Sequence, residues 1–343
     1  MTLAQSGPPG ASLARSGFPP RLADEALGLG DDLPEPRIAV ILPCYNEEAA
    51  IAQTVAGFRA ALPGARIHVY DNNSRDRTVE VARAAGAIVR TERVQGKGAV
   101  VRRMFADVDA DVYVMADGDA TYDAASAPRL VRRLIDEQLD MVVGSRIAEA
   151  DLAYRRGHQV GNKALTGMLA RLFGRSFTDI LSGYRVFSRR FVKSFPALSA
   201  GFEIETEISV HALELKMPVA EVATPYFARP EGSVSKLSTY SDGWRIATTI
   251  TTLYRLERPL SFFALIAAGI SALALLLSIP LVATFIQTGL VPRFPTAILA
   301  TGLMILAFLN LFAGLILDTV VRGRREVRRL AYLAHPAPGG DDD

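Results

Sequence analysis

Asp117 and Asp119 stand one residue apart where the apolar run VYVM (112–115) gives way to ADGDATYD, and Asp123 follows closely. Carboxylates held this close at a strand tip repel each other unless a cation lies between them. Two chemistries fit. An isolated DGD is most often a turn, because Asp and Gly both favour tight loops. The alternative is a hard divalent cation, Mg²⁺ or Mn²⁺, which takes oxygen ligands and keeps positions open for substrate phosphates. The choice between them depends on what else gathers at the same place.

The elements that must position the pair alternate regularly. RIAVILPCYN reads as a strand and Glu47 to about Leu62 as a helix; RIHVYDNNS is a strand, RDRTVEVARAAG a helix and AIVRTE a strand. KGAVVRRMFADV is then helical, ADVYVMADGD is the strand carrying the pair, SAPRLVRRLIDEQ is a helix and LDMVVGSR a strand. This alternation predicts an α/β fold, a mostly parallel sheet covered by helices on both faces. Ligands of such sheets bind at the carboxyl ends of the strands. Polar residues collect there: Asn46 and Glu47, Asp71 to Asp76, Asp117 to Asp123, and Ser145 with Arg146. Neither G-x-G-x-x-G nor GxxxxGK[ST] occurs, so a dinucleotide fingerprint and a P-loop are both unsupported. VQGKG (94–98) supplies flexible backbone and Lys97, which reads either as a phosphate contact or as an ordinary loop lysine.

Half of the 343 residues are hydrophobic, the mean hydropathy is +0.20, and the excess is localised. Leu260–Ile286 and Ala297–Leu317 contain no charge, and each exceeds the roughly 20 residues that cross a hydrocarbon core. Two C-terminal transmembrane helices are expected. Arg255 and Arg258 precede the first and VRGRREVRR (321–329) follows the second, so the positive-inside rule puts both outer ends in the cytoplasm and residues 287–294 outside. The expected location is the cytoplasmic (inner) membrane, with the α/β part on its cytoplasmic face. The arginines after the second span are read as partners of anionic lipid, not of nucleic acid. YRRGHQVGNKALTGMLARLFGR (154–175) sets Leu165, Met168, Leu169, Leu172 and Phe173 on one face and reads as an interfacial helix. Trp244 and Tyr254 suit a second interfacial segment.

The resulting divisions are a tail over 1–36, an α/β domain over 37–236, an interfacial helix over 237–258, two spans over 259–321 and a basic tail over 322–343. Cys44 is the single cysteine, so no internal disulfide forms; within an apolar strand it reads as a small buried residue. His158 and His211 lack ligand spacing and are read as structural.

VILPCYNEE, DNNSRDRT, QGKG, DGDATY, GSR and DILSGYR, followed by GFEIETE, RPEGSVSK and the two spans, resemble the family 2 glycosyltransferases of GT-A fold. Within that family the order and spacing are most similar to the polyprenyl-phosphate branch, which includes dolichol-phosphate mannose synthases and undecaprenyl-phosphate sugar transferases. The resemblance implies a nucleotide-sugar site of Pro43, Tyr45, Glu47, Tyr70, Asp71, Asn72, Lys97, Gly118 and Lys236. It implies metal contacts from Asp117, Asp119 and Thr121, and a sugar-phosphate clamp of Arg146 and Arg229. Arg155 and Arg156 would meet the lipid phosphate. The sequence departs from the family pattern at Asn72, where many members carry Asp, and at Thr121, where many carry Gln. The implied reaction moves a sugar, with inversion, from GDP-mannose or a UDP-hexose to polyprenyl phosphate. An ionised phosphate acceptor needs no strong base. A hydroxyl-bearing lipid such as ceramide or diacylglycerol would need one, with Glu205 and Glu207 as candidates. A processive polysaccharide synthase would carry Q-x-x-R-W, a context the only tryptophan, Trp244, lacks. A non-catalytic membrane-tethered binder and a homo-oligomer remain further expectations to weigh.

Overall fold

The structure is a computed structural model and describes residues 36–148, 177–199, 203–230 and 251–339, with 167, 170, 201 and 248 between them. Arg155, Arg156, His158, Lys236, Trp244 and the apolar face of 154–175 lie outside the described residues.

Seven strands form one sheet in the order β3-β2-β1-β4-β6-β5-β7. They are β1 (Ile38–Cys44), β2 (Arg66–Asp71), β3 (Ile88–Thr91), β4 (Val112–Met115), β5 (Met141–Ala148), β6 (Arg185–Ser188) and β7 (Val219–Tyr226). All neighbouring pairs are parallel except those of β6, which runs antiparallel between β4 and β5. Parallel neighbours need helical crossovers. These are α1 (Ile51–Ala61), α2 (Thr78–Ala84), α3 (Lys97–Asp107), α4 (Ala127–Asp136), α5 (Arg189–Ser194) and α6 (Ile204–Glu214).

Side chains alternate across the pleat, and the inner strands β1, β2, β4, β5 and β6 therefore each feed two cores. Ala39, Ile41, Tyr113, Met115, Met141 and Val143 face α3 and α6. Val40, Leu42, Val112, Val114, Val142 and Val186 face α1 and α4. This buried, two-sided sheet explains why the strands read as near-continuous apolar runs. The cysteine behaves as expected: Cys44 is buried at 3 % exposure.

His211, on α6, is 1 % exposed. Ser194 Oγ donates to the Phe191 carbonyl at 3.0 Å, so the imidazole Nε2–H donates to Ser194 Oγ at 3.1 Å. That leaves Nδ1 as a buried acceptor without a partner. The imidazole is structural and neutral.

Among the described residues, two helices are long and apolar enough to cross a membrane, α7 (Pro259–Thr288) and α8 (Phe294–Leu333). They pack through small residues at a seven-residue interval, Ala267 and Ala274 on α7 with Ala300, Ala307 and Gly314 on α8. Small residues let backbones approach closely, the usual basis of helix contact in lipid. A Cβ on Gly314 would lie 2.9 Å from Phe263 Cβ and 3.3 Å from Leu260 Cα. Large apolar side chains such as Leu265, Leu276, Ile286, Phe308, Phe312 and Ile316 face outward.

α8 continues without interruption through the first part of the basic tail, to Leu333. Arg325 and Arg328, read from sequence as lipid-facing, are instead ion-paired to Glu214 at 2.8 and 2.5 Å. Two guanidiniums thus share one buried carboxylate through charge-assisted contacts, which are the stronger kind.

Burial, then the nearby Arg328 charge, lowers the His211 imidazole from its ordinary value to about 3. The folded protein thus binds this proton less readily than the unfolded chain, and stability must fall as pH drops below about 6.5, by up to about 1.4 kcal/mol per pH unit. Denaturant unfolding at pH 7 and pH 5 should show this loss, and His211→Phe should flatten it. An unchanged slope in that variant would refute the assignment.

Candidate active site

The expected strand edge is where the chemistry gathers, and its loops are laced to one another. Asn46, in the left-handed region at φ 52°, accepts from the Arg75 N–H at 2.8 Å. The Asn46 N–H donates to Ser74 Oγ, the Glu47 N–H to Thr78 Oγ1 and the Arg77 N–H to Glu48. DNNSRDRT is therefore largely a brace for the loop that carries Tyr45 and Glu47. Asp71, at 3 % exposure, accepts from the Ser74 N–H.

Asn72 takes a different role from the one expected. Its amide donates to the carbonyls of Glu92 and Val94 and its Oδ1 accepts from the Gly96 N–H at 2.7 Å and from Gln95. Its side-chain amide is committed to residues 92–96, so it shapes the loop that leads into α3. Tyr70 is also corrected. It is fully buried, and its hydroxyl donates to Asp107, at the opposite end of α3 from Lys97. Alternation puts Tyr70 in the core, one residue short of the edge. Pro43 is buried in β1 opposite Tyr70.

The DGD loop is tightly constrained. A Cβ on Gly118 would collide with Cys44 Sγ, so only glycine fits over that sulfur. Ala120 has φ 57°, a strained conformation of the kind that collects at functional sites. Tyr122 bridges to Tyr226 and the Phe227 N–H donates to the Thr121 carbonyl at 2.9 Å. This short pairing carries the chain past the end of β7 and delivers Arg229, whose guanidinium meets Asp119 at 2.8 Å. Thr121, expected as a third metal contact, is buried and its hydroxyl donates to Asp119 at 2.6 Å; it orients that carboxylate.

Lys97 is the cation on the other carboxylate. Its Nζ lies 2.5 Å from Asp117 and 2.6 Å from Glu205. Burial opposes its charge, but the two carboxylates outweigh burial and hold the ammonium above its ordinary range. Burial, then the Asp117 charge, raises the Asp119 carboxyl, against the Thr121 hydroxyl and Arg229. The edge thus sets three carboxylates, Asp117, Asp119 and Glu205, on two cations, Lys97 and Arg229, which leaves these five groups with one negative charge in excess. Oxygen donors in such an array fit a hard divalent ion. Among the described residues no group of three or more ligating side chains converges, so an ion here would take much of its coordination from substrate phosphates and water.

The DILSGYR motif (179–185) supplies parts whose roles only the fold reveals. Asp179 pairs bidentately with Arg146, at 2.6 and 2.8 Å, while the Arg146 guanidinium also lies 5.5 Å from the Tyr226 ring centre. Glu221, on β7, accepts from the Thr178 N–H and hydroxyl and the Asp179 N–H, fixing the turn that aims Asp179. Arg185, fully buried, donates to the Ile180 and Ser182 carbonyls and to Ser209; burial lowers it to about 10, still a cation at neutral pH. Gly183 passes so close to Asp117 that a Cβ would lie 2.9 Å from its Oδ2. A lone Asp in a short apolar motif was the available signal; its partner 33 residues earlier was not. Glu207 accepts from the Leu198 and Ser199 N–H groups and is a loop anchor.

The fold is that of GT-A glycosyltransferases. Structures of glucosyl-3-phosphoglycerate synthase from Mycobacterium tuberculosis are similar, one of them a complex with Mn²⁺, UDP-glucose and phosphoglyceric acid (TM-score 0.53, 24% identity, covering 71% of this chain and 85% of that one). Residues 39–195 match Glycosyl transferase family 2. A Haloferax volcanii glycosyltransferase, AglJ, is 31% identical over 84% of this chain and 95% of its own length. A dolichyl-phosphate hexose transferase from the same organism is 29% identical over 64% of this chain and 95% of its own. The chain belongs to glycosyltransferase family 2, and it is a glycosyltransferase.

If Asp179 aims Arg146, the two act as a unit. Asp179→Asn and Arg146→Ala should each lower kcat/KM by about 100-fold, and the double variant should be little worse than either, because coupled residues are non-additive. Additive losses in that cycle would refute the coupling.

Proposed function

We propose that this glycosyltransferase is an integral membrane enzyme that moves a hexose from a nucleotide sugar to a polyprenyl phosphate, with Asp117 and Asp119 holding Mg²⁺ or Mn²⁺. The observation that carries the reading is α6. Near its start Glu205 holds Lys97 at the DGD edge, and its last residue, Glu214, holds α8. A site built into the same piece as a membrane-crossing hairpin is suited to an acceptor that resides in the bilayer. The likeness to a relative named as a dolichyl-phosphate hexose transferase supports the same class.

The residues divide the work by charge. A prenyl phosphate is already an anionic nucleophile, so the difficulty lies in bringing two anions together and stabilising a departing nucleoside diphosphate. The bound divalent ion would neutralise diphosphate charge as a Lewis acid. Lys97 and Arg229 each lie on one carboxylate of the pair, close enough to share their charge with a bound diphosphate. Arg146, aimed by Asp179, would supply planar donors toward a phosphate. Displacement in a single step gives inversion at the anomeric carbon. Arg155 and Arg156 are proposed to meet the lipid phosphate, and Lys236 the nucleotide.

The hydroxyl-lipid alternative is less well supported, since Glu205 is held by Lys97 and Glu207 by two backbone N–H groups. A non-catalytic binder does not account for so constrained a carboxylate pair. The arginine asymmetry around α7 and α8 supports a cytoplasmic catalytic face.

Purified protein incubated with polyprenyl phosphate and a panel of GDP- and UDP-sugars should yield one hexosyl-phosphoprenol, identified by mass. Chelator should abolish the product and Asp119→Asn should lower turnover by about 100-fold or more without unfolding. Glycosylated diacylglycerol or ceramide as the product, or full activity in chelator, would overturn the reading.

A further inference from the structure

The C-terminal part of α8 makes three polar attachments to the α/β domain, all on one helical face. Arg325 reaches Glu214 at 2.8 Å and the Glu257 carboxylate and carbonyl at 3.1 Å. Arg328 meets the other Glu214 oxygen at 2.5 Å. Tyr332 donates to Asp140 at 2.9 Å, which Arg190 also holds while lying over the Tyr332 ring. Residues 325, 328 and 332 follow the spacing of one helix face. Their partners are deeply set: Glu214 has 2 % side-chain exposure and Asp140 none.

These attachments matter because α6 and α8 are not welded by apolar contact along their length. A groove of about 450 Å³ lies between them, lined among others by Leu198, Val210, Leu256, Val321 and Arg324. Across that space the polar contacts, together with the packing of α8 on α5 and of Tyr332 on the core, set the angle between the helices. Two charge-assisted contacts share one carboxylate, and a bidentate acceptor constrains direction as well as distance. Glu214 is nine residues after Glu205 on one α-helix, so the clamp and the Lys97 contact are about 14 Å apart along a rigid rod.

We propose that Glu214 is a positioning residue: the Arg325–Glu214–Arg328 clamp, backed by Tyr332–Asp140, holds the catalytic edge at one height and tilt over the bilayer, so that a membrane-borne phosphate reaches Lys97 and Asp117. This rests on the acceptor reading above. The apolar part of α8 ends at Leu317, and Arg325 lies eight residues, about 12 Å, beyond it along the helix. A domain attached there by its chain alone would sample a range of orientations. Clamped, it presents one.

The test uses the full chain in lipid nanodiscs. Gly64 is exposed and a side chain there meets nothing, so Gly64→Cys carries a dye while the buried Cys44 stays in place. Energy transfer to a dye in the bilayer reads the height of the domain. In the Glu214→Gln background the transfer distribution should broaden. At the same time kcat/KM for a long polyprenyl phosphate in the bilayer should fall by about 10-fold or more, while that for a short water-soluble prenyl phosphate changes less than about twofold. Arg328→Gln should reproduce this pattern and Arg328→Lys should largely restore the unsubstituted behaviour. Arg328 is more exposed than Glu214, and Tyr332→Phe removes only a hydroxyl, so these variants serve if Glu214→Gln does not fold. An unchanged transfer distribution, or equal losses on both acceptors, would overturn the proposal. Unsubstituted protein that glycosylates neither acceptor would refute the acceptor reading, whereas the transfer measurement would still judge the clamp.

Discussion

The mutual repulsion of Asp117 and Asp119 is the constraint around which this molecule is built. Two carboxylates one residue apart, in a buried loop, cannot both stay charged without cations. The chain brings those cations from opposite directions. Lys97 opens α3 and reaches Asp117; Arg229 follows β7 and reaches Asp119. Each delivery needs its own scaffold. Asn72 ties down the loop that launches α3, and the pairing of 121–122 with 226–227 steers the chain that carries Arg229. Even the glycines serve this end, since Gly118 clears Cys44 and Gly183 clears Asp117 itself.

A second tier of charges holds the first. Asp179 orients Arg146, Glu221 orients the turn bearing Asp179, and Arg185 pins the remainder of that loop from within the core. A buried guanidinium is costly unless its donors are satisfied. Here they are taken by two carbonyls and a hydroxyl, so the loop cannot shift without stranding a charge. The arrangement orders the site without any ligand, the preorganisation that electrostatic stabilisation of developing charge requires.

The connection to the apolar hairpin follows the same logic. In α6, a helix of 11 residues, Glu205 turns toward the site and Glu214 toward α8, and the three attachments of α8 are again charge-assisted or hydroxyl–carboxylate contacts. Apolar packing holds the two cores and the α7–α8 seam together. Directional polar contacts, with the packing of α8 on α5, set the angles between those units.

The fold was legible because strand and helix periods are local: β1 to β5 and their crossovers fall within a few residues of where the apolar pattern places them, and the two long uncharged runs are α7 and α8. The DGD edge was legible too, because the carboxyl ends of parallel strands share one side by topology. Partners far apart in the chain were not. No local pattern relates Arg146 to Asp179 or Lys97 to Glu205, or tells that Arg325 and Arg328 face a protein carboxylate and not lipid. The antiparallel insertion of β6 between β4 and β5 brings Asp179 and Gly183 to the edge, and it leaves no mark in a single sequence. Residue type and spacing thus determined which side chains carry charge and on which side of the sheet they emerge. Only the tertiary structure decided which charges meet, because the energy of a pair depends on distance and burial, and both are set by chain segments remote in sequence.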